Sequence, residues 1–413
     1  MRKRYNKSED IWKLTGLCMT ILCFSLVGLG GQSWAGGLYI NEFATPSMGT
    51  AGAGAQAWAD NASTAFFNPA GMTQIDGKEL MLGGGLIYTD IKFDPAPDTP
   101  VAGGDGGNAG SLAPLISTFY VHSLSDDLKL GLDLISLSAA VLDYDDNWAG
   151  RRQCLNTKIF TVTLHPSLAY RVNNWLSIAG GVGLIYGKLE LELAGLLPGR
   201  KITIDGDDLE YTFNLNALFE LSDRTRLGVV YWSEADLNFS GDVEQQPSGQ
   251  QAGVDTALPL PQLVRAGIYH EINDRFALLG SIGWEDWSSL DNVNISLASA
   301  SAALPKNWED TWHFAAGIHY RLSDPWLLQF GIAYDTSPVD AEDRTADMPI
   351  DRQIRYTIGT QFEKSEKLTI GCAFEYADLG DAEINNSSPI NGLKGEYKNN
   401  DFLAFMINFN WKF

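Results

Sequence analysis

Apolar and polar residues alternate along the carboxyl end of the chain. Every second residue from Leu403 to Phe413 is apolar, and Asn408, Asn410 and Lys412 are among the residues between them. This period of two predicts a strand with one apolar and one polar face. A terminal strand that closes on an aromatic residue is typical of outer-membrane β-barrels, in which the apolar face meets lipid and the polar face meets water.

The same alternation recurs in fourteen segments, which predict an all-β membrane protein. The predicted strands are 78–93, 114–124, 128–142, 157–172, 175–194, 207–221, 225–239, 258–272, 275–288, 306–322, 326–336, 351–364, 367–379 and 400–413. Short polar turns alternate with long loops at 94–113, 143–156, 195–206, 240–257, 289–305, 337–350 and 380–399. A 14-stranded antiparallel transmembrane β-barrel has this alternation, because its short turns lie on the periplasmic side and its long loops on the extracellular side. A soluble β-sandwich does not place all its short connections on one side and all its long ones on the other.

Strand parity then predicts which residues face lipid and which face the lumen. In 351–364 we expect Tyr356 and Ile358 to face lipid, with Arg355 and Thr357 facing inward. In 306–322 we expect Glu309 to face inward. Tryptophans near the predicted strand ends suit two interfacial girdles, formed by Trp175, Trp326 and Trp411 on the periplasmic side and by Trp284, Trp287, Trp308 and Trp312 on the outer side.

The amino end predicts export. Residues 1–35 combine a basic leader with an apolar run from Leu14 to about Gly31 and small residues around the end at Ala35. This pattern is typical of a secretory signal peptide, so the mature chain is predicted to begin near Gly36. A transmembrane anchor is the alternative.

Residues 36–77 lack strand alternation and are rich in Gly, Ala, Asn and Thr. The stretch is long for a simple tail, and small residues allow close packing in a confined space. We therefore expect residues 36–77 to form a hatch, or plug, inside the lumen of a barrel built from residues 78–413. A disordered periplasmic tail is the alternative.

The charge of the chain and its Cys and His residues limit which partners, disulfides and metal sites can be expected. The chain has 29 Lys and Arg against 51 Asp and Glu, so nucleic acid is a poor partner. Much of the acid falls in predicted loops, where it either solvates them or binds divalent ions that bridge to lipopolysaccharide. We expect no disulfide between Cys154 and Cys372. We expect no metal site, because the five histidines are scattered along the chain. We also expect no cofactor.

Several motifs resemble the FadL-type family of outer-membrane transporters (OmpP1/FadL/TodX). The most specific is Asn68-Pro69-Ala70, which looks like the hatch motif of that family; others are Leu38–Phe43, Trp148–Arg151, Pro166–Val172, Leu258–Pro261 and Tyr334–Ala341. The resemblance implies a monomeric fourteen-stranded barrel that carries hydrophobic small molecules, either long-chain fatty acids or hydrocarbons. It also implies capture by extracellular loops, an inner site near the hatch, and exit through a gap at a kink in the third strand.

The resemblance suggests binding residues. Leu38 falls where the family places an apolar residue that enters the inner pocket, and Asn68 matches the hatch-motif Asn. A fatty-acid carboxylate requires a cation in the lumen, for which Arg355 is the first candidate and Arg265 the second. Lys306 and Arg344 lie at loop margins, where they could meet the arriving ligand. The alternatives are a plain Asx-Pro turn for Asn68, and pairing of the cations with lumen acids such as Glu309 or Glu375.

One region departs from the family pattern. The predicted lateral gate comprises Ser136, Ser138, Ala139 and Ala140, and this part of the third strand has neither the Gly nor the Pro that often kinks it in the family. A β-bulge could still form there.

The sequence therefore predicts an outer-membrane transporter and not an enzyme. A general polar porin is the main alternative; a barrel enzyme, or an adhesin or phage receptor, is less favoured. Besides the hydrophobic ligand, the expected partners are outer-membrane lipid, lipopolysaccharide and the barrel-assembly machinery, which would recognise the C-terminal strand that ends at Phe413.

Overall fold

A computed structural model describes residues 41–297 and 300–413. The predicted signal peptide and Leu38 lie outside the described residues. If each interrupted strand is counted once, the fourteen strands are β1 Lys78–Pro95, β2 Leu112–Ser123, β3 Leu128–Ile135 with Ala139–Asp143, β4 Asn156–Asn173, β5 Leu176–Ala194, β6 Lys201–Ser222, β7 Thr225–Trp232 with Ala235–Gln246, β8 Gln250–Leu260 with Leu263–Asn273, β9 Phe276–Glu285 with Asn292–Leu297, β10 Ala300–Pro305 with Thr311–Ser323, β11 Trp326–Asp335, β12 Gln353–Ser365, β13 Leu368–Asp378 and β14 Leu393–Lys412.

Each strand pairs antiparallel with its neighbour in the sequence, and β1 pairs with β14, so the sheet closes into a barrel. The tight turns follow from side-chain chemistry. Asn173 Oδ1 accepts the backbone N–H groups of Trp175 and Leu176, at 2.9 Å each, in the β4–β5 turn. Asn273 makes the equivalent pair of bonds in the β8–β9 turn, because an Asn side chain readily mimics a backbone turn.

The predicted alternation of faces is confirmed in β12. Arg355 and Thr357 are buried inside the barrel, whereas Tyr356 and Ile358 are about half exposed on the outside, at 50% and 52%. Such large apolar residues on the outer face require lipid around them. No helix in the described residues has the length and apolar composition needed to cross a membrane.

Several predicted loops are wrong, because they contain strand. The predicted loop 240–257 is a hairpin in which Ala235–Gln246 pairs with Gln250–Leu260, and strand also covers much of 195–206, 289–305 and 380–399. A short strand, Ile384–Asn386, pairs with β14. Beyond the lipid, both faces of a strand are free to carry polar residues, so the period-two signal weakens although the backbone pairing continues.

Two tryptophans and one acid also depart from prediction. Trp287 and Trp308 are buried, with ring centroids 5.2 Å apart, and do not join an outer girdle. They lie where β9 and β10 are interrupted and the chain folds inward. Glu309 falls in that same interruption and is exposed, so it is not a lumen-facing strand residue.

The extracellular loops pack against one another and against the outer ends of the strands. The Tyr144 ring stacks on Trp148 with centroids 3.8 Å apart, and the Tyr144 hydroxyl lies 2.8 Å from that of Tyr397 in the outer part of β14. Cys154 is buried and forms no disulfide, and its Sγ lies 3.1 Å from Thr157 Oγ1; Cys372 is a free thiol on β13.

The third strand is interrupted at residues 136–138. Ile135 pairs with Thr163 on β4, whereas Ala139 pairs with Phe160. Four steps along β3 therefore match three along β4, which is the one-residue register shift of a β-bulge. Pairing between β2 and β3 stops at Thr118, and within the described strands residues 112–117 of β2 pair only with β1. A gap is left in the hydrogen-bonded wall between the outer halves of β2 and β3.

Residues 41–77, the N-terminal segment, lie inside the barrel. They contain four short helical stretches, Pro46–Thr50, Ala55–Trp58, Thr64–Phe67 and Pro69–Gln74, and most of their side chains are buried. Close approach to the wall depends on inward-facing glycines: a Cβ on Gly228 would collide with the backbone of Gln56, and one on Gly331 with the backbone of Thr50.

Candidate functional site

An inner cavity lies between the N-terminal segment and the barrel wall. Its empty volume, open mouth included, is about 620 Å³. Its apolar lining is Phe43, Phe66, Phe67, Leu137, Ile185, Val230, Trp232, Ala235, Leu260 and Leu263, and its polar lining is Asn41, Gln56, Thr212, Ser233 and Arg265.

Aromatic rings form one wall of this cavity. Phe66 and Phe67 end the third helical stretch, and the Phe66 ring centroid lies 4.8 Å from that of Phe43 and 5.6 Å from that of Trp232. Trp232 ends the first part of β7. Leu137 comes from the interruption of β3, so the cavity reaches the wall at the gap.

One cation lines the cavity. Arg265 donates from Nη1 to Asn41 Oδ1 at 2.7 Å and from Nη2 to Glu285 Oε1 at 2.6 Å. Among the described residues, neither Arg265 Nε nor Asn41 Nδ2 has a hydrogen-bond partner, although both atoms are buried. Two buried donors at the polar edge of an apolar cavity are suited to an anionic oxygen, since leaving such groups unpaired is costly.

Arg355 lies elsewhere, in a buried cluster of acids. Its Nε donates to Glu42 Oε1 at 3.1 Å and lies 3.4 Å from Glu375 Oε1, and its Nη1 binds Asp335. Its Nη2 donates to Gln353. Arg355 therefore pairs with lumen acids, Glu375 among them, which is the alternative role foreseen for it, and it does not line the inner cavity. Through Glu42 it fastens the N-terminal segment to β12.

Asn68 has two structural roles. Its Oδ1 accepts the Ala70 N–H at 3.1 Å, which caps the helical stretch that begins at Pro69. Its Nδ2 donates to Gln56 O at 2.7 Å and to Ala217 O on β6 at 3.0 Å. The first contact is the Asx-Pro turn expected of any such sequence, while the other two bind the segment to itself and to the wall.

The remaining ties of the segment are also polar and come from many strands. They include Phe43 O with Ser117 Oγ, Pro46 O with Gln329 Nε2 (3.1 Å), Gly54 N with Ser281 Oγ (2.9 Å), Thr73 Oγ1 with Ser177 Oγ (2.7 Å) and Thr73 O with Arg171 Nη2 (2.6 Å). Each neutral bond of this kind contributes only ~0.5–1.5 kcal/mol net, and the bond from the charged Arg171 contributes ~1.5–3 kcal/mol, so the attachment is a sum of modest terms.

An outer cavity, with an empty volume of about 650 Å³ when its open mouth is included, lies among the extracellular parts of β4–β10. Its lining is mainly apolar and comprises Ile159, Leu189, Leu191, Ile204, Ala257, Leu258, Val293, Ile295, Leu304 and Met348, with Thr157, Thr256, Lys306 and Asp347. Lys306 Nζ lies 2.8 Å from Asp347 Oδ2, so the cation predicted at a loop margin does border a cavity, although it is already paired.

Arg344 does not line either cavity. Its guanidinium donates to the carbonyl oxygens of Ile350 (2.7 Å), Val339 (2.7 Å) and Glu383 (2.5 Å). These contacts join the β11–β12 loop to the chain that follows β13, so Arg344 stabilises the extracellular layer.

Sequence reasoning missed most of the inner lining, including Phe66, Phe67, Trp232 and Leu137. Phe66 and Phe67 directly precede Asn68, and two adjacent aromatics in a segment of small residues were an available signal. Leu137 gave none, because its position depends on the register shift in β3.

Comparisons with known proteins agree on one family. Residues 26–413 match the family described as outer membrane protein transport protein (OMPP1/FadL/TodX). The long-chain fatty acid transport protein of Escherichia coli O6:H1 is 24% identical over 439 residues, which cover 95% of this chain and 98% of that protein. The 47 kDa outer membrane protein of Pasteurella multocida is 25% identical, covering 88% and 92%.

Solved structures share the fold. A FadL homologue from Pseudomonas aeruginosa has a TM-score of 0.84 at 23% identity, covering 91% of this chain and 99% of that one. The toluene transporter TodX of Pseudomonas putida has a TM-score of 0.72 at 17% identity, covering 92% and 100%. The predicted closed barrel of fourteen antiparallel strands is confirmed.

Proposed function

The chain belongs to the outer membrane protein transport family (OMPP1/FadL/TodX), and from this premise we propose that it carries long-chain fatty acids or related hydrocarbons across the outer membrane. It is an outer-membrane transport protein and not an enzyme. The observation that carries the proposed substrate class is the inner cavity, which is apolar along most of its lining and has Arg265 at its polar edge.

The apolar lining and the polar edge of the inner cavity act on different parts of a ligand. Any hydrocarbon, acyl chain included, gains ~0.8 kcal/mol for each CH₂ buried against the apolar lining, so only the polar edge favours an amphiphilic anion over a neutral hydrocarbon. A carboxylate would accept hydrogen bonds from Arg265 Nε and Asn41 Nδ2, the two buried donors that lack partners among the described residues, and bonds to a charged acceptor are the stronger kind.

The proposed route has three stages. Ligand first enters the outer cavity, whose lining includes Lys306, and then moves to the inner cavity beside the hatch. In this proposal the signal peptide is residues 1–35, the hatch is residues 36–77 and the barrel is residues 78–413. It leaves sideways into the membrane through the gap between β2 and β3, at Ser136, Ser138, Ala139 and Ala140. The position of Leu137, in both the cavity lining and the interruption of β3, supports this exit.

The remaining partners are proposals of finer detail. We propose that the assembly machinery recognises β14 through its aromatic end at Phe413, which is 71% exposed. We also propose that acidic extracellular loops contact lipopolysaccharide through divalent ions and that the barrel works as a monomer.

Direct binding tests the substrate. Detergent-purified protein is mixed with palmitate, toluene or a charged sugar and observed by native mass spectrometry. Arg265→Gln should weaken palmitate binding about tenfold, since one charge-assisted bond is lost, and leave toluene binding unchanged. Arg321→Gln is the matched control, because Arg321 lies at the periplasmic end and pairs with Glu363.

The outcomes separate the alternatives. Binding of toluene without palmitate would replace the fatty acid by a neutral hydrocarbon. Binding of the sugar alone would favour a polar porin. Equal loss of palmitate binding in both arginine variants would show that Arg265 is not the carboxylate site.

A further inference from the structure

The bulge in β3 is organised by one hydroxyl on the neighbouring strand. Thr161 Oγ1 accepts the backbone N–H of Leu137 at 3.1 Å and that of Ser138 at 3.0 Å, and it lies 3.3 Å from Ser138 O as the donor of a third bond. The Thr161 backbone N–H donates to Ser138 O at 2.8 Å. The interruption of β3 is thus held by a side chain where a regular strand would use backbone pairing.

These contacts use the full capacity of the hydroxyl. A threonine hydroxyl has one donor and two acceptor sites, and all three are engaged by two consecutive residues of β3. Thr161 is 1% exposed, so water does not compete for these sites from outside. Without the hydroxyl, two buried N–H groups would lack an acceptor, which is among the costlier defects in a protein interior.

The direction of these bonds matters for the gap. Both N–H groups point toward β4, where Thr161 lies, and not toward β2. Leu137 is thereby turned into the lining of the inner cavity, and the pairing of β3 with β2 ends at Leu134. This part of β3 has no Gly or Pro, and the regular strand is interrupted instead by hydrogen bonds to the Thr161 side chain.

We propose that Thr161 is the positioning residue of the lateral gap: its hydroxyl holds β3 in the bulged register and so keeps the wall open beside the inner cavity. This inference rests on the proposed lateral exit. Thr161 need not touch the ligand, because its effect passes through the backbone of Leu137 and Ser138.

The same strand offers a matched control. Thr163 faces inward two residues further along β4 and is fully buried, but its Oγ1 has no hydrogen-bond partner among the described residues. Thr161→Val and Thr163→Val make the same change of shape and polarity in the same wall. Only the first removes the acceptor of the bulge, and Thr161→Ser restores it.

Two measurements on the full-length protein test the proposal. The first is amide hydrogen exchange at Leu137 and Ser138 in lipid nanodiscs, resolved by electron-transfer fragmentation. The second is uptake of radiolabelled oleate by a Gram-negative strain that lacks its own fatty-acid transporter. We expect Thr161→Val to speed exchange at both amides and lower uptake about tenfold, with Thr161→Ser and Thr163→Val within about twofold of wild type. Heat-modifiable migration in gels shows that each barrel has folded.

Each other result has a definite meaning. Unchanged exchange in Thr161→Val would overturn the role of the hydroxyl and leave the proposed transport function standing. Faster exchange with normal uptake would show that the hydroxyl holds the bulge but that uptake does not depend on it, which overturns this inference and leaves the proposed transport function standing. Equal loss of uptake in Thr161→Val and Thr163→Val would assign the effect to wall polarity and overturn the inference.

Discussion

Asn68→Asp separates the two structural roles of Asn68, the helix cap and the contacts with Gln56 and Ala217. Asp caps a helix as well as Asn does, so the bond to the Ala70 N–H is kept. The variant loses the two bonds that Nδ2 donates to Gln56 O at 2.7 Å and Ala217 O at 3.0 Å, and it sets a carboxyl oxygen against two carbonyl oxygens. Asn68→Ala loses all three bonds but adds no repulsion.

The expected magnitude follows from these contacts. Each lost bond that leaves a buried carbonyl unpaired costs ~1–3 kcal/mol, so Asn68→Asp should weaken docking of the segment by about 3 kcal/mol, or roughly a hundredfold. Asn68→Ala should lose a similar amount, with about 1 kcal/mol of it from the cap. We therefore expect the conservative variant to release the segment at least as readily as the alanine variant.

Ion conductance in planar lipid bilayers reports the release, because an undocked segment opens the lumen. Both variants should show larger and more frequent conductance steps than wild type, together with faster hydrogen exchange across residues 43–75. If Asn68→Asp behaves as wild type while Asn68→Ala conducts, Asn68 acts only as a helix cap, and the reasoning about the wall contact is refuted.

Three further changes probe other parts of the molecule. Gly228→Ala should raise conductance, because its Cβ would displace the Gln56 backbone, whereas Gly84→Ala, with no atom closer than 3.7 Å to its added Cβ, should not; equal conductance in both would contradict the close packing. Burial raises the pKa of the Cys154 thiol well above its ordinary value, so in a Cys372→Ser background maleimide at pH 8 should label Cys154 only after unfolding, and rapid labelling of the folded protein would show that the extracellular layer is open. Arg344→Gln should speed proteolysis within 336–352 without changing palmitate binding, and loss of binding without faster proteolysis would make Arg344 a ligand contact.

The sequence was informative wherever a residue meets a uniform environment. Lipid on one side and polar lumen on the other impose alternation, so the faces of Arg355 and Tyr356 followed from parity alone. Outside the lipid that constraint ends, and the outer part of the hairpin, in which residues 240–245 pair with 250–255, was therefore predicted as a loop.

The candidate site was less accessible to sequence reasoning, because its shape depends on contacts between distant parts of the chain. Parity correctly placed Arg355 and Arg265 on the inner face but could not tell how many carboxylates each one meets. Glu42, Asp335 and Glu375 converge on Arg355, whereas Arg265 pairs with Glu285 and keeps one buried N–H free of a partner among the described residues. The bulge in β3 likewise depends on a threonine that is distant in sequence, so the absence of Gly and Pro was a poor guide.

The attachments of the N-terminal segment also constrain the order of steps in which the protein matures. The Ala44 and Ala62 N–H groups find acceptors on Met406 and Asn410 of β14, the last strand to be synthesised, while other ties reach strands throughout the barrel. These two contacts therefore form only after β14 has been exported and has taken its place in the wall. Docking of the N-terminal segment is completed late in maturation, although its residues are made before those of every strand.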